Sequence, residues 1–255
     1  MLRLRQIALV ARSLAPVEAT IRYALGLEVA YRDPMVAIWG LENAVFPLGQ
    51  QFLEVVAPVK DGTAAGRQLD RRDGDGGYMV ILQCDDQEAL RQRARELAIR
   101  TAFEHEDAGY RVWQLHPRDT GGAFLEIDFQ PGGEDMNGPW QPAGTGWQSA
   151  ARTDVVDAIT AVEIQAADPE GLAVRWGALL DRPVERTSSG SPRLGLDNAE
   201  IRFVADADGR GEGLSGVDVA VKDRRRLVAA LTSRGGRVSG HTIELGGVRL
   251  GIRGR

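Results

Sequence analysis

His116-Pro117-Arg118-Asp119-Thr120-Gly121-Gly122-Ala123-Phe124-Leu125-Glu126-Ile127 is the stretch that decides the fold of this chain. Pro117 holds His116 extended, and Asp119-Thr120-Gly121-Gly122 reads as a hairpin turn with glycine at positive φ. The strand that follows carries Glu126 between Leu125 and Ile127, on one face with Phe124 and Asp128. An earlier segment closes the same way, with Gln51-Phe52-Leu53-Glu54-Val55-Val56.

Working outward, each of these carboxylate strands ends a longer unit that begins with a strand and a capped helix. In the first unit Leu2 to Ala11 alternates as a strand, with Leu4, Gln6, Ala8 and Val10 on one face. Ser13 caps a helix with Leu14, Val17, Ile21 and Ala24 at helical spacing, Pro16 in its first turn and Gly26 at its end. Short strands are expected at 27–31, 36–39 and 44–46, then a stronger one at 52–57. The polar, Gly-rich stretch 59–77 reads as a connector. The second unit has a strand at 78–84, a cap at Asp85 or Asp86, a helix through Ala98, strands near 101–104 and 110–115, and a last strand at 123–129. A third unit starts at Ile159, with Asp168 as cap and Pro169 at the first helical position, and strands near 193–196 and 200–205. A fourth has strand 214–221, a helix from Asp223 to Arg234, then Gly235-Gly236 and strands near 242–245 and 248–252.

Four recurrences of strand followed by cap are the basis for an α+β chain of four βαβββ modules, paired into two curved-sheet domains. The first domain is expected over 1–135 and the second over 155–255, with 136–154 as linker. Trp140 and Trp147 in that Pro- and Gly-rich linker are expected to pin it against a domain face.

Composition narrows the function classes. The chain has 255 residues, 43% of them hydrophobic, and a net charge of −5, which provides no basic stripe for nucleic acid. Its Arg-rich runs, 91–95 and 224–226, read as solvated helix faces. Cys84 is the single cysteine, in an apolar strand, and reads as a buried, inert thiol. No segment approaches roughly 18 consecutive apolar residues, and the N-terminus has no signal-type apolar core, so no membrane association and a cytoplasmic location are expected. Neither a dinucleotide fingerprint nor a P-loop is present.

This organisation resembles the vicinal oxygen chelate superfamily, the glyoxalase and bleomycin-resistance group, over nearly the whole chain. The segment from His116 to Glu126 is similar to the final hairpin of methylmalonyl-CoA epimerases; Ala24-Leu25-Gly26-Leu27 and Phe52-Leu53-Glu54 also fit the group. The resemblance implies two glyoxalase-like domains, each a curved sheet around a cavity. Members with metal chemistry hold a divalent ion by one side chain from the first and one from the last strand of each paired module. Those positions are Gln6, Glu54, Met79 and Glu126. A thioether does not suit a hard or borderline cation, so no metal site and no cofactor is expected, with a divalent metal as the less favoured alternative. The matching C-terminal positions fall near Ala161, Arg202, Gly216 and Gly251, none a metal ligand, and the second domain reads as a degenerate partner. A homodimer is compatible with the pattern.

The candidate catalytic residues are Glu126, as general base, and Glu54, with Gln6, Met79 and His116 as substrate-binding residues. Burial of an unpaired carboxylate raises its proton affinity, and two carboxylates in one cavity make an acid–base pair. Glu126 facing outward, or paired with Arg111 or Arg118, is the alternative. The expected function is binding of a small carbonyl-containing or aromatic molecule, with proton-transfer chemistry of the lyase or isomerase type. The rival is a non-catalytic sequestering protein of the bleomycin-resistance type. Trp39, Trp113, Trp140 and Trp147 would then offer stacking surface.

Overall fold

A computed structural model describes residues 1–255 except Gly122, Gly236, Arg237, His241 and Arg255, and the side chains of Val238 and Ser239. Two mixed sheets form the body of the chain. Strands β1 (Leu2–Val10), β2 (Leu41–Leu48), β3 (Gln51–Pro58), β4 (Gly76–Cys84), β5 (Thr101–Asp107), β6 (Tyr110–Leu115) and β7 (Phe124–Asp128) make the first, in the order β2-β3-β1-β4-β7-β6-β5. The second contains β8 (Val156–Ala166), β9 (Val184–Arg186), β10 (Pro192–Gly195), β11 (Glu200–Ala205), β12 (Gly213–Val221), β13 (Val238–Ser239), β14 (Thr242–Leu245) and β15 (Val248–Gly254), in the order β13-β14-β15-β12-β8-β11-β10-β9. In each sheet the first and last strands of a module run parallel, as β1 with β3 and β4 with β7. The two modules then join antiparallel through β1–β4 and β8–β12.

The helices are α1 (Leu14–Thr20), α2 (Ala64–Arg71), α3 (Gln87–Glu96), α4 (Pro169–Leu180) and α5 (Arg224–Ser233). Asp86, Asp168 and Asp223 cap α3, α4 and α5 through side-chain oxygens, meeting donors that the first turn leaves unpaired. Ser13 stands at the cap of α1 without such a bond, and the helix relaxes into a π-turn over Ile21–Leu25 before Gly26, at φ 69°, ends it.

One apolar core lies between the sheets and takes in Ile7, Leu9, Val80, Leu125 and Ile127 of the first and Ile159, Val162, Leu214, Val217 and Leu250 of the second. The apolar stripes of α1, α3, α4 and α5 close it. A second cluster, with Ala8, Val10, Phe52, Met79, Ile81 and α2 residues Ala65 and Leu69, covers the other face of the first sheet. Among the described residues no helix is long and apolar enough to cross a membrane.

Several local expectations are corrected. Residues 27–31 contribute an isolated bridge, Tyr31 to Val45, in place of a strand. Residues 36–39 belong to a 3-10 helix, Pro34–Trp39, because Asp33 accepts from Met35 N–H and Pro34 supplies a helical φ. The 59–77 connector contains α2, capped by Thr63 at Gly66 N–H. Leu4 turns away from Gln6 and into the inter-sheet core because Arg5 is the extra residue of a β-bulge against β4. Gly121 has φ 79°, as the turn reading requires, whereas its companion Gly122 lies outside the described residues.

Candidate functional site

The first sheet and α2 enclose a cleft of about 1460 Å³, whose lining residues all fall between Gln6 and Pro142. Gln6, Glu54, Met79, His116 and Glu126 all border it. Strand register explains how. Glu54 pairs level with Ala8, and Glu126 with Ile81, in parallel ladders. Gln6 and Met79 each stand two residues before those partners, and so on the same face. The two modules thus present matched pairs, Gln6 with Glu54 and Met79 with Glu126.

Two bulges load this face further. Arg5 is extra against β4, and Tyr78 is extra against β1, between the pairs Ala8–Met79 and Leu9–Gly77. Tyr78 thereby joins Met79 at the cleft wall, where its ring meets Phe124 edge-on at 5.2 Å. Arg5 is buried beneath the wall, with its guanidinium carbon 5.1 Å from the Phe52 ring and 5.5 Å from that of Trp140. Burial pushes its proton affinity down, to a pKa of about 9.

Glu54 is buried and accepts from Gln6 Nε2 at 2.9 Å and from Asn43 Nδ2 at 2.7 Å. Burial raises its pKa to about 7; the two amide donors oppose the rise, and the charge of Glu126 adds to it. Glu126 accepts from Gln114 Nε2 at 2.7 Å and is also raised by burial. It faces inward, toward Gln114 and Asp128, so the alternative pairing with Arg111 or Arg118 is not realised.

Met79 lies against the wall with Ile81 and offers Glu126 no donor. His116 sits one residue beyond β6, at the cleft edge, and not within the penultimate strand. Its backbone N–H reaches Arg100 O, and its Nδ1 accepts from Arg118 N–H at 3.2 Å.

The sequence reading missed Asn43, Gln114, Tyr110 and the hydrogen bond that Trp140 makes to Gln6, although it expected Trp140 and Trp147 to pin their segment against a domain face. Trp140 is fully buried and donates its indole N–H to Gln6 Oε1 at 2.7 Å. Trp147 is buried beside Phe52, so both tryptophans hold the 136–147 strap against the first sheet. Trp39 borders the cleft with its ring 5.1 Å from Phe103, whereas Trp113 is committed to the core beneath Arg91. The Cys84 thiol is buried and pushed up to about 12.

The donor set does not fit a divalent cation. Both Glu54 oxygens hold amide hydrogens, Glu126 is engaged by Gln114 and Asp128, and the fourth position is the Met79 thioether. Among the described residues no group of three His, Cys, Asp or Glu side chains is arranged to hold a metal.

In the second sheet the corresponding positions are crossed by ion pairs. Arg202 reaches over Ala161 to Asp218, which also accepts from Arg253 Nε at 2.6 Å. Side chains explain the small residues: a Cβ on Gly251 would stand 1.8 Å from Asp218 Oδ1, and one on Gly216 2.6 Å from Glu163 Oε2.

The Glyoxalase-like domain family matches this chain over residues 7–180. The chain belongs to that family. Among solved structures, this glyoxalase-like protein shares its fold over 100% of both chains with a hypothetical protein from Staphylococcus aureus, at TM-score 0.65 and 11% identity. A Streptomyces coelicolor methylmalonyl-CoA epimerase, in complex with 2-nitronate-propionyl-CoA, aligns with 50% of the glyoxalase-like chain and 96% of its own, at TM-score 0.45 and 20% identity. The Mycobacterium tuberculosis methylmalonyl-CoA epimerase aligns over 49% and 86%, at TM-score 0.44 and 20% identity. No curated protein matches this glyoxalase-like chain.

Proposed function

We propose that the cleft binds a small carbonyl-containing molecule and that Glu126 and Glu54 move a proton on the carbon beside the carbonyl. The observation that carries this reading is a pair of buried carboxyl groups from matched strands that border one cleft and are held by side-chain amides. Burial, with a smaller addition from the charge of Glu126, raises the Glu54 carboxyl to about 7, so its neutral form is populated near neutral pH. Glu126 takes the α-proton as base. The C–H electron pair moves into the carbonyl, and the developing oxyanion accepts a hydrogen bond or the proton itself from the neutral form of Glu54. Return of the proton to the face it left restores the starting molecule, and delivery to the opposite face gives its epimer. Gln6 fixes Glu54, since its own amide is committed to Glu54 and Trp140.

A second reading has its own observation. Met35, Ile38 and Trp39 are 49%, 57% and 40% exposed on the 3-10 helix at the cleft edge. Apolar side chains left in water beside a large cleft suit capture of an apolar or aromatic ligand without turnover.

Thermal-shift screening of carbonyl compounds and aromatic metabolites finds ligands by the stabilisation they give. Each ligand found is then incubated in D2O and followed by proton NMR. Proton transfer is expected to exchange the α-hydrogen, with a loss of about 10²–10⁴-fold in Glu126→Gln. Saturable ligands that keep every α-hydrogen would overturn the catalytic reading and favour sequestration.

A further inference from the structure

We infer that Asp128 is the proton-bearing partner of Glu126: a neutral carboxylic acid, held by the Tyr110 hydroxyl, that donates its hydrogen to Glu126 and keeps that carboxylate ready as base. The inference deepens the proton-transfer reading above and rests on it for its significance.

Asp128 stands two residues beyond Glu126 on β7, so the two carboxyl groups share a face. They are in hydrogen-bond contact, with Asp128 0% and Glu126 5% exposed. Two ionised carboxylates cannot share so dry a contact, whereas one hydrogen between them converts repulsion into a charge-assisted bond. Among the described residues no cationic side chain pairs with either carboxyl. From β6, Tyr110 Oη donates to Asp128 Oδ2 at 2.5 Å, Trp113 N–H approaches Oδ1 at 3.4 Å, and Gln114 holds Glu126. From β3 comes Glu54, from β4 the neutral thiol of Cys84, and from the turn before the 3-10 helix Asp33. Arg111 of β6 is turned onto the Phe129 ring, 4.4 Å from its centroid.

The hydrogen belongs on Asp128 because that carboxyl is the deeper of the two and is raised further by the charge of Glu126. Glu126 keeps its contact with the cleft and gains a second donor beside Gln114. Asp128 is therefore a positioning residue that acts through Glu126 and does not itself border the cleft.

Carboxyl-labelled Asp and Glu, titrated by carbon NMR without any ligand, test this. Asp128 is expected to keep the neutral carboxyl shift through the pH range in which Glu126 ionises. Asp128→Leu removes the donor and should raise the Glu126 midpoint by about one pH unit or more. Asp128→Asn keeps a neutral side chain with an N–H donor, so the midpoint should hold. An ionised Asp128 at neutral pH in the unsubstituted protein would overturn the inference, as would equal shifts in the Leu and Asn variants. Should the Leu variant not fold, the unsubstituted titration and the Asn variant decide. Because nothing is turned over, failed deuterium exchange would sink the functional reading alone and leave this result intact.

Discussion

Gln6 donates to Glu54 across 2.9 Å, and it cannot turn its amide around, because Trp140 holds the oxygen end at 2.7 Å. A side chain from the 136–147 strap therefore decides that Glu54 meets a donor and not a second acceptor. In Trp140→Phe the indole N–H is lost and Gln6 Oε1 is left buried without it. The expected cost is about 1–3 kcal/mol, measured by urea denaturation. The Glu54 midpoint should also move above its value of about 7, since the amide becomes free to flip. An unchanged midpoint would show that Trp140 does not set the amide.

Glu54 also makes stability depend on pH. Its carboxyl titrates near 7 in the folded chain against 4.5 for the ordinary group, so the native state binds the extra proton. Stability from this group is fully present below pH 4.5 and declines as pH rises toward 7. The loss is on the order of 3 kcal/mol. Glu126 and Asp128 are raised too and act in the same direction. Glu54→Gln should flatten the difference between pH 5 and pH 8 in melting temperature, whatever its constant offset from losing the donor pattern.

Gly77 marks the close approach of the two sheets. A Cβ there would stand 2.2 Å from the backbone oxygen of Leu214 and 2.5 Å from its side chain. Backbone cannot step aside cheaply, so Gly77→Ala should cost about 3 kcal/mol, the upper range for overpacking. Gly195→Ala, which meets open space, is the control and should change stability by no more than about 0.5–1 kcal/mol. Denaturant midpoints of the two variants provide the comparison.

Asp218 carries the ion-pair lattice of the second sheet. It accepts from both Arg202 and Arg253, and Arg202 is nearly buried. Asp218→Ala would leave Arg202 with only the longer contacts to Glu163 and Glu200, at 3.5 Å each. The expected loss is about 3 kcal/mol, measured by thermal and urea unfolding, and added salt should change it little because the pair is shielded from solvent.

Much of the architecture was legible because it is local. Alternation marked β1, β3, β4 and β7, and Asp86, Asp168 and Asp223 each followed a strand as a cap. The errors arose where a short element had weak periodicity. Asp33-Pro34 was a helix-start signal that four apolar residues outweighed, and α2 hid in a polar stretch although Ala65 and Leu69 repeat at helical spacing. Of the site, the strands gave Gln6, Glu54, Met79 and Glu126, because the repeat itself points to matched positions. Asn43 and Gln114 were not legible, since their roles depend on which residues β2 and β6 place beside β3 and β7. The β-bulge at Arg5 was equally hidden: one extra residue reverses the facing of Leu4, and only the partner strand reveals it.

The cleft opens on the side of the first sheet that turns its back on the second. Among the described residues none after Pro142 borders it. The second sheet is thus set apart from the cleft and meets the first through the shared apolar core, so it backs the wall from behind and leaves the chemistry of the chamber to the residues in front.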